Sequence, residues 1–381
     1  MRFRRLATMT MATTALCGLA PTFGPAFVPA ARASSTPLQR ELDGAVRDTG
    51  MPGAIMTRAG RAEVTVRSGV GDVRTGRPVP RHAMVRVGST TKAFVATVVL
   101  QLVGEGRVAL DAPVETYLPG VVRGRGGDGR TITVRQLLQH TSGLPDPGTL
   151  LPSGRAWAER RFRHRDRGEL IRYALSLEPT TARWSYTNTG YLLLGELIEK
   201  VTKARSWRDE VARRIVRPLG LRHTYSPEPS EYRIRGPHPR GYLRAPGLID
   251  VTEQDTGYLD AAGDMVSTPA EIDRFFGALL RGRLLRPAVL AEMRRTVPAS
   301  GAVDEYGLGL EVNRLSCGDL VGHAGQMHGY SMLAGVLDRG RARGRARLGA
   351  AVALSVTAEP ADMDDFRRIL KVADTALCAR P

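Results

Sequence analysis

The sequence is poor in lysine and in aromatic residues. Only four of its 55 basic residues are lysine, and aromatic residues make up 6% of the 381 positions. No block of like charge is long enough to predict a disordered tail, and no internal repeat is present. A hydrophobic content of 42% therefore predicts that most of the chain folds, as one large domain or two intergrown ones.

Acidic residues are also scarce: 38 stand against 55 basic ones, which gives a net charge of +17. Four arginines and no acid lie in residues 1–33, so the rest of the chain carries +13. The basic residues are scattered, with no recognition motif or stacking aromatic set beside them, so we predict no nucleic-acid partner. A solvated basic surface is the simplest interpretation, and attachment to anionic cell-wall polymers or lipid head groups is the alternative.

No apolar run reaches the ~20 residues that a membrane-spanning helix needs. The run Leu6–Ala20 is shorter, follows three arginines, and precedes small residues at Ala31 and Ala33 that suit a signal peptidase. We predict that residues 1–33 are a signal peptide. The protein would then be secreted and act outside the cell or at the cell wall, without an integral membrane span. A retained membrane anchor is the weaker alternative.

Cysteine is rare, and only Cys317 and Cys378 remain after the predicted signal peptide. Disulfides persist outside the cytoplasm, so this even number predicts a disulfide bond. Closing a loop of this length would stabilise the fold by roughly 4 kcal/mol on the chain-entropy model. Two buried free thiols are the alternative.

Strand patterns occur near both ends of the chain. The predicted strands are Ala54–Ala59, Val64–Gly69, Tyr306–Val312, Leu320–His323, Tyr330–Leu337 and Gly349–Val356. Helical spacing is found at Leu38–Asp48 and Asp362–Leu377, and residues 107–290 are mostly helical in pattern. The Arg/Gly-rich stretch Arg339–Arg347 is predicted to be a hairpin loop.

These patterns predict an α+β fold in a single catalytic domain, residues 34–381. One antiparallel sheet would be built from both chain ends, in a sheet lobe of about residues 34–88 and 300–381. A helical lobe of about residues 89–299 would be inserted between them.

The strongest chemical signal is Ser89-Thr90-Thr91-Lys92, which opens the apolar run Ala93–Val103. Residues three apart share one helix face, and a helix N-terminus stabilises an oxyanion that forms on a carbonyl attacked by Ser89. Lysine can lose its proton when it is desolvated, whereas arginine cannot, so the lysine in this arginine-rich chain is informative. We predict Ser89 as nucleophile and Lys92 as its base. An ordinary helix N-cap is the alternative.

Two further elements carry candidate residues. In an extended segment Tyr186 and Asn188 project to the same side, where a phenol of lowered pKa can relay protons and an amide can orient Lys92. His323 lies between two glycines in a short strand; Gly325 leaves the strand edge bare for a substrate backbone. The backbone N–H groups of Ser89 and Gln326 would bind the oxyanion. A structural turn and a structural histidine are the respective alternatives.

In the order Ser-X-X-Lys, Tyr-X-Asn, His-X-Gly, the chain resembles the serine penicillin-recognising family. It is similar to secreted D-alanyl-D-alanine carboxypeptidases and class C β-lactamases, also at Ile132–Leu144 and from Ala261-Ala262-Gly263 to Ser267-Thr268-Pro269. The resemblance implies a three-layer α/β/α fold, an acyl-enzyme on Ser89, and no metal or organic cofactor. His140 would end a helix and pack behind the site.

The sequence departs from the resembling carboxypeptidases where those enzymes bind the substrate's terminal carboxylate. The position of their clamping arginine is occupied by Glu311, and their hydroxyl positions by Ala324 and Gln326. Arg314, three residues along a strand, should face the opposite side. Repulsion between carboxylates would weaken binding of a terminal D-Ala. We expect Tyr258 and Glu311 to contact the substrate.

The resemblance therefore implies a serine hydrolase whose partner is a peptidoglycan peptide, a β-lactam or a small ester or amide. We expect the protein to be a monomer. A D-alanyl-D-alanine carboxypeptidase is the first interpretation. An esterase, a D-amino-acid amidase or a β-lactamase is the rival. A slow penicillin-binding protein, acylated without turnover, is a third.

Overall fold

Fifteen strands and eleven helices account for the regular structure of the described chain. The structure is a computed structural model that describes residues 36–342 and 345–379, so the predicted signal peptide, residues 1–33, lies outside the described residues. The strands are β1 Gly53–Ala59, β2 Glu63–Asp72, β3 Arg77–Pro78, β4 Val85–Arg86, β5 Arg123–Gly124, β6 Gly127–Asp128, β7 Tyr242–Ala245, β8 Gly247–Asp250, β9 Val266–Ser267, β10 Val297–Pro298, β11 Glu305–Tyr306, β12 Glu311–Leu315, β13 Gly318–Met327, β14 Tyr330–Ala342 and β15 Arg345–Val356. The helices are α1 Pro37–Thr49, α2 Thr91–Gly104, α3 Val134–Gln139, α4 Gly154–Arg160, α5 Arg167–Ser176, α6 Thr189–Thr202, α7 Trp207–Val211, α8 Arg217–Leu219, α9 Pro269–Leu280, α10 Pro287–Met293 and α11 Met363–Cys378.

Nine strands form one antiparallel sheet in the order β10-β11-β12-β13-β14-β15-β1-β2-β3. Within this sheet the neighbouring strands β1 and β15 join the N-terminal and C-terminal strands, with Ala54 opposite Val356 and Ala59 opposite Ala351. The helices α2 to α10 lie in the segment of the chain between β4 and β10. The predicted sheet built from both chain ends, with helices inserted between them, is confirmed.

Helices cover both faces of the sheet. On one face α11 buries residues spaced three and four apart, the period of a helix with one apolar side: Ile369, Val372, Ala373, Ala376 and Leu377. On the other face α9 does the same with Ile272, Phe275, Phe276 and Leu279. Side chains of β15 alternate between the two cores, since Ala353 packs on the α9 side and Leu354 on the α11 side. The three-layer arrangement is confirmed.

Two predicted boundaries are wrong. The predicted loop Arg339–Arg347 is largely strand, because β14 and β15 stay paired to Ala342 and Arg345 through two register shifts, and backbone pairing needs no apolar side chains. The predicted strand Tyr306–Val312 is broken between β11 and β12 by a turn at Gly309. Gly309 has φ 81°, and a Cβ there would lie 2.4 Å from that of Ala96, so this turn packs directly on α2.

The predicted disulfide is present. Cys317, in the turn between β12 and β13, is bonded to Cys378 at the end of α11, with 5.6 Å between their Cα atoms. The bond therefore fastens the last helix to the sheet next to β13.

Candidate active site

Ser89 lies in a tight turn, Gly88–Thr90, that leads directly into α2. Gly88 has φ 53°, and a Cβ on it would meet the backbone of Gln326 at 2.5 Å, so only glycine fits. From Lys92 through Leu100 every residue of α2 is buried. The nucleophile is thus held on a buried helix and pressed against β13.

The Lys92 side chain is fully buried, and its Nζ has three polar neighbours. They are Ser89 Oγ at 3.0 Å, Asn188 Oδ1 at 2.8 Å and the backbone oxygen of Ala262 at 2.8 Å. The amide and backbone oxygens can only accept hydrogen bonds. A neutral amine that donates its two hydrogens to them directs its lone pair at Ser89, the geometry of a general base. Asn188 thus contacts the amine that its amide was predicted to orient.

Burial lowers the pKa of Lys92 from 10.5 to about 7. The carboxylates of Asp146 and Glu311 oppose this shift, but no acid bonds to Nζ. A large fraction of the amine is therefore neutral near pH 7.

Tyr186 lies beside the nucleophile: Lys92 Nζ is 4.8 Å from the centre of its ring, and Tyr186 and Ser89 line the same cleft. The expected lowered pKa is wrong. Burial, reinforced by the charge of Glu311, raises the pKa of Tyr186 well above its usual value. The phenol therefore stays protonated near neutral pH, and Lys92 is the neighbouring side chain able to accept a proton there.

A buried chain of neutral rings lies behind Tyr186. The backbone N–H of Thr187 donates to His140 Nδ1 at 3.3 Å, so His140 Nε2 carries the proton that faces Tyr306 Oη at 3.2 Å. Tyr306 Oη in turn lies 2.9 Å from His323 Nε2, and burial lowers the pKa of His323 to about 3. His323 thus takes no proton at working pH and positions Tyr306.

His140 follows α3 with φ 61° and packs its ring 4.2 Å from that of Tyr186. It therefore ends a helix behind the site, as predicted. Tyr306 was not identified from the sequence, because its strand pattern gave no sign that its hydroxyl would meet two histidines.

The second oxyanion donor was predicted on β13. That strand pairs with β12 only as far as Gly322, which leaves His323–Met327 without a partner on that side. The backbone nitrogen of Gln326 lies beside Gly88, and both Ser89 and Gln326 line the cleft. The two predicted N–H donors therefore belong to adjoining segments.

Gly325 lines the cleft, where a substrate backbone was predicted to approach it, and it also lies against the segment that carries Ser89. A Cβ on it would lie 2.0 Å from the backbone oxygen of Val87 and 3.0 Å from the nitrogen of Ser89. Because Gly325 has no side chain, the backbone of the segment that carries the nucleophile can pack directly against β13.

Glu311 lies on the cleft wall at the start of β12. Its Oε2 accepts the N–H of Ala324 at 2.8 Å, and its Oε1 is 3.2 Å from His323 Nδ1. Burial raises the pKa of this carboxyl to about 7. Arg314 is exposed and pairs with Glu305 at 2.9 Å, so it does not replace the missing arginine, as the strand spacing predicted.

Tyr258 lies away from the cleft. Its hydroxyl donates to Gln254 Oε1 at 3.4 Å, and its ring packs edge-on against Trp157. It is absent from the described residues that line the space next to Ser89. The structure does not bring Tyr258 to the nucleophile.

The cleft in front of Ser89 has a volume of about 560 Å³. Away from the nucleophile its walls are apolar, formed by Leu333, Leu354, Val356, Phe366 and Ile369. None of the described residues that line it is lysine, arginine or histidine. The contribution of α11 was missed, since nothing in its sequence distinguishes a cleft wall from an ordinary core face.

Within residues 36–342 and 345–379 no group of three histidine, cysteine or acidic side chains is placed to hold a metal ion. The same part of the chain contains no helix with the length and apolarity to cross a membrane.

Comparison with protein families gives a match over nearly the whole described chain. The family model described as beta-lactamase matches residues 38–376.

Individual relatives carry different activities. Penicillin-binding protein 4 of Amycolatopsis lactamdurans is 30% identical over 256 residues, which is 63% of each chain, so the match spans less than two thirds of that relative. Esterase EstB of Burkholderia gladioli is 29% identical over 342 residues, 81% of each chain. A solved D-stereospecific amidohydrolase from Streptomyces sp. is 36% identical with a TM-score of 0.77, over 90% of this chain and 98% of that one.

Proposed function

The chain belongs to the β-lactamase family of serine hydrolases, and from that premise we propose that it is an amidohydrolase acting on D-amino-acid amides or esters. The observation that carries the proposal is Glu311, which puts a carboxylate on the cleft wall where a carboxypeptidase needs a cation.

The contacts of Ser89 support an acyl-enzyme route. Ser89 Oγ attacks the substrate carbonyl while its proton passes to the neutral Nζ of Lys92, and the oxyanion is held by the N–H groups of Ser89 and Gln326. As the C–N or C–O bond breaks, the leaving group takes a proton from Tyr186, which recovers one from the Lys92 ammonium. Water then attacks the ester and loses a proton to Lys92, which returns it to Ser89 Oγ as the acyl bond breaks, so that the acid and free Ser89 are released.

The charge of the cleft supports an uncharged group at the scissile end. A terminal carboxylate would meet Glu311 and find no basic side chain among the described lining residues. An amide or ester brings no such charge. A substrate ammonium would be attracted by Glu311 when that carboxyl is ionised. When Glu311 is protonated and neutral, the ammonium would not be repelled.

The apolar wall supports a substrate with a large apolar side chain. Leu333, Leu354 and Ile369 are nearly fully buried beneath the cleft, and Phe366 borders it. Burying an aliphatic or aromatic side chain there would contribute about 1.5–3 kcal/mol to binding. We therefore expect D-Phe or D-Leu derivatives to exceed D-Ala derivatives in kcat/KM by roughly tenfold or more.

A D-alanyl-D-alanine carboxypeptidase is the second candidate, and the relative named penicillin-binding protein 4 favours it. It shares the whole acylation apparatus and differs only in the need for carboxylate binding. A slow penicillin-binding protein differs again, because it would be acylated without turnover.

The deciding experiment compares D-Phe amide, a D-Phe nitrophenyl ester, a D-Ala-D-Ala peptide and a fluorescent penicillin on residues 34–381. We expect the amide and the ester to be hydrolysed and the L-enantiomers and the dipeptide to react at least tenfold more slowly. Ser89→Ala should abolish turnover, and Glu311→Gln should selectively raise the rate on the dipeptide.

Rapid release of D-Ala by the wild-type protein would favour the carboxypeptidase instead. Stoichiometric penicillin labelling without hydrolysis of any substrate would favour the slow penicillin-binding protein. Turnover that survives Ser89→Ala would refute the acyl-enzyme route altogether.

We also propose that the protein works outside the cytoplasm. The predicted signal peptide supports this, and so does the bond between Cys317 and Cys378, since structural disulfides persist in oxidising compartments. Fractionation of cells that express the full chain tests it: the protein should be found in the medium or wall fraction, starting at Ser34.

A further inference from the structure

The backbone oxygen of Ala262, one of the two acceptors of Lys92, lies on a turn of unusual conformation. Asp260 opens this turn, Asp260–Ala262, with φ 39°, a region that non-glycine residues seldom adopt. Such a conformation persists only where surrounding contacts enforce it. The contacts of Asp260 therefore show what holds the carbonyl in place.

Three side chains and one backbone group converge on the carboxylate of Asp260. Its Oδ1 accepts from Trp207 Nε1 at 2.8 Å, Arg167 Nη1 at 3.2 Å and its neighbour Ala261 N at 2.7 Å. Its Oδ2 accepts from Arg208 Nη2 at 3.0 Å. The side chain is mostly buried, so two arginines and an indole from α5 and α7 fix it from behind.

The opposite side of the turn is bonded to the segment that carries the nucleophile. Met265 N donates to Thr91 Oγ1 at 3.2 Å, and its backbone oxygen accepts from Val87 N at 3.0 Å. The turn is thus held on one side by the Ser89 segment and on the other by the two arginines. Between these two sets of contacts, the backbone oxygen of Ala262 accepts a hydrogen bond from Lys92 Nζ.

We propose that Asp260 is a positioning residue for the general base: its bonds to Arg167, Arg208 and Trp207 hold the Ala262 oxygen 2.8 Å from Lys92 Nζ and so keep the lone pair of the amine on Ser89. This rests on the proposed role of Lys92 in the serine hydrolase reaction. It adds a group that never touches substrate.

Two consequences follow if the turn is released. One amine hydrogen loses its acceptor, so the amine rotates and its lone pair leaves Ser89. Water can also approach Nζ, which restores solvation of the ammonium and raises the pKa of Lys92. Both effects slow Ser89 at neutral pH, and only the second moves the pH dependence.

Asp260→Asn tests the inference, because asparagine keeps an acceptor for Trp207 and tolerates positive φ, but gives up the charge that binds both arginines. Trp207→Phe is the second variant, in case Asp260→Asn does not fold; it removes the indole donor alone. Glu210→Gln is the matched control, since Glu210 lies on α7 with Trp207 and Arg208 but binds Arg213 and Arg214 instead of any partner of Asp260.

The readout is the second-order rate at which phenylmethanesulfonyl fluoride modifies Ser89 between pH 5.5 and 10, followed by intact mass. It needs no knowledge of the substrate. We expect Asp260→Asn to react on the order of 10- to 100-fold more slowly at pH 7, with its midpoint moved to higher pH. Trp207→Phe should change in the same direction by less, and Glu210→Gln should match the wild-type rate and midpoint.

An unchanged rate and midpoint in folded Asp260→Asn would overturn the inference. So would an equal loss in Glu210→Gln, which would indicate general destabilisation. If wild-type Ser89 is sulfonylated but no amide or ester is hydrolysed, the proposed substrate fails while this comparison stands. If wild-type Ser89 is not sulfonylated, both proposals fail.

Discussion

Lys92, buried next to Ser89, and Glu311, on the cleft wall, reach a similar pKa from opposite directions. Burial lowers the pKa of the lysine to about 7 and raises that of the carboxyl to about 7. Neither bonds to a group of opposite full charge: Nζ contacts neutral oxygens, and the carboxylate contacts a backbone N–H and a neutral imidazole.

The two groups differ in the function that an adjustable charge would serve at each position. Lys92 must exchange a proton with Ser89, so a neutral environment that leaves its charge adjustable is useful for catalysis. Glu311 contacts no reacting atom, and its charge instead acts on whatever approaches the cleft. The same physical cause, desolvation, thus supports catalysis at one position and selection at the other.

The largest expected effect comes from making the cation permanent. Lys92→Arg keeps a positive charge but cannot supply a lone pair, because a guanidinium stays protonated. We expect kcat/KM on a D-Phe ester to fall by roughly 10²–10⁴ at every pH from 6 to 10. A variant that recovered at high pH would show that another group serves as the base.

A smaller effect concerns stability. Below its folded pKa of about 7 Lys92 is a buried ammonium, and that cost fades as pH rises towards the unfolded value of 10.5. Lys92→Met should therefore stabilise the protein more at pH 6.5 than at pH 9, by an extra ~2–3 kcal/mol at ~1.4 kcal/mol per pKa unit. Urea unfolding at the two pH values measures it.

The control for that measurement is Lys371→Met, on the exposed side of α11 next to Asp374. Its stability difference from wild type should not change between the two pH values. Equal behaviour of the two variants would mean that Lys92 keeps an ordinary pKa in the fold.

The smallest expected effect links the two groups directly. The charge of Glu311 raises the pKa of Lys92, so Glu311→Gln should move the acid limb of kcat/KM to lower pH. Glu305→Gln, which removes the partner of Arg314 on the neighbouring strand, should leave the limb in place. A shift to higher pH after Glu311→Gln would contradict the assigned coupling.

The fold was largely readable from the sequence, because strand and helix periodicities are local. The amphipathic spacing of α11 and the β1–β2 hairpin are examples. The Arg/Gly-rich ends of β14 and β15 were misassigned, since pairing across a register shift depends on the partner strand and leaves no apolar alternation.

The residues of the site also fall into two groups, those that local sequence could predict and those that it could not. Ser89 and Lys92 are three residues apart where the turn Gly88–Thr90 leads into α2, so their contact follows from local helical geometry. Asn188 was predicted from the polar segment around Tyr186. Tyr306 and Asp260 were not predicted, because their partners come from distant elements that only the tertiary structure brings together. The raised pKa of Tyr186 could not be predicted from the sequence either, since burial in the fold decides the direction of the pKa shift.

The sheet that joins both chain ends also sets when the enzyme becomes competent. Synthesis proceeds from the N-terminus, and the Ser89–Lys92 pair is made long before the strand that carries Gln326. Until β13 to β15 emerge and dock against β1, the nucleophile lacks its second oxyanion donor and the wall of its cleft. A chain still in synthesis that lacks these strands is therefore inactive, and a chain truncated before them should remain inactive.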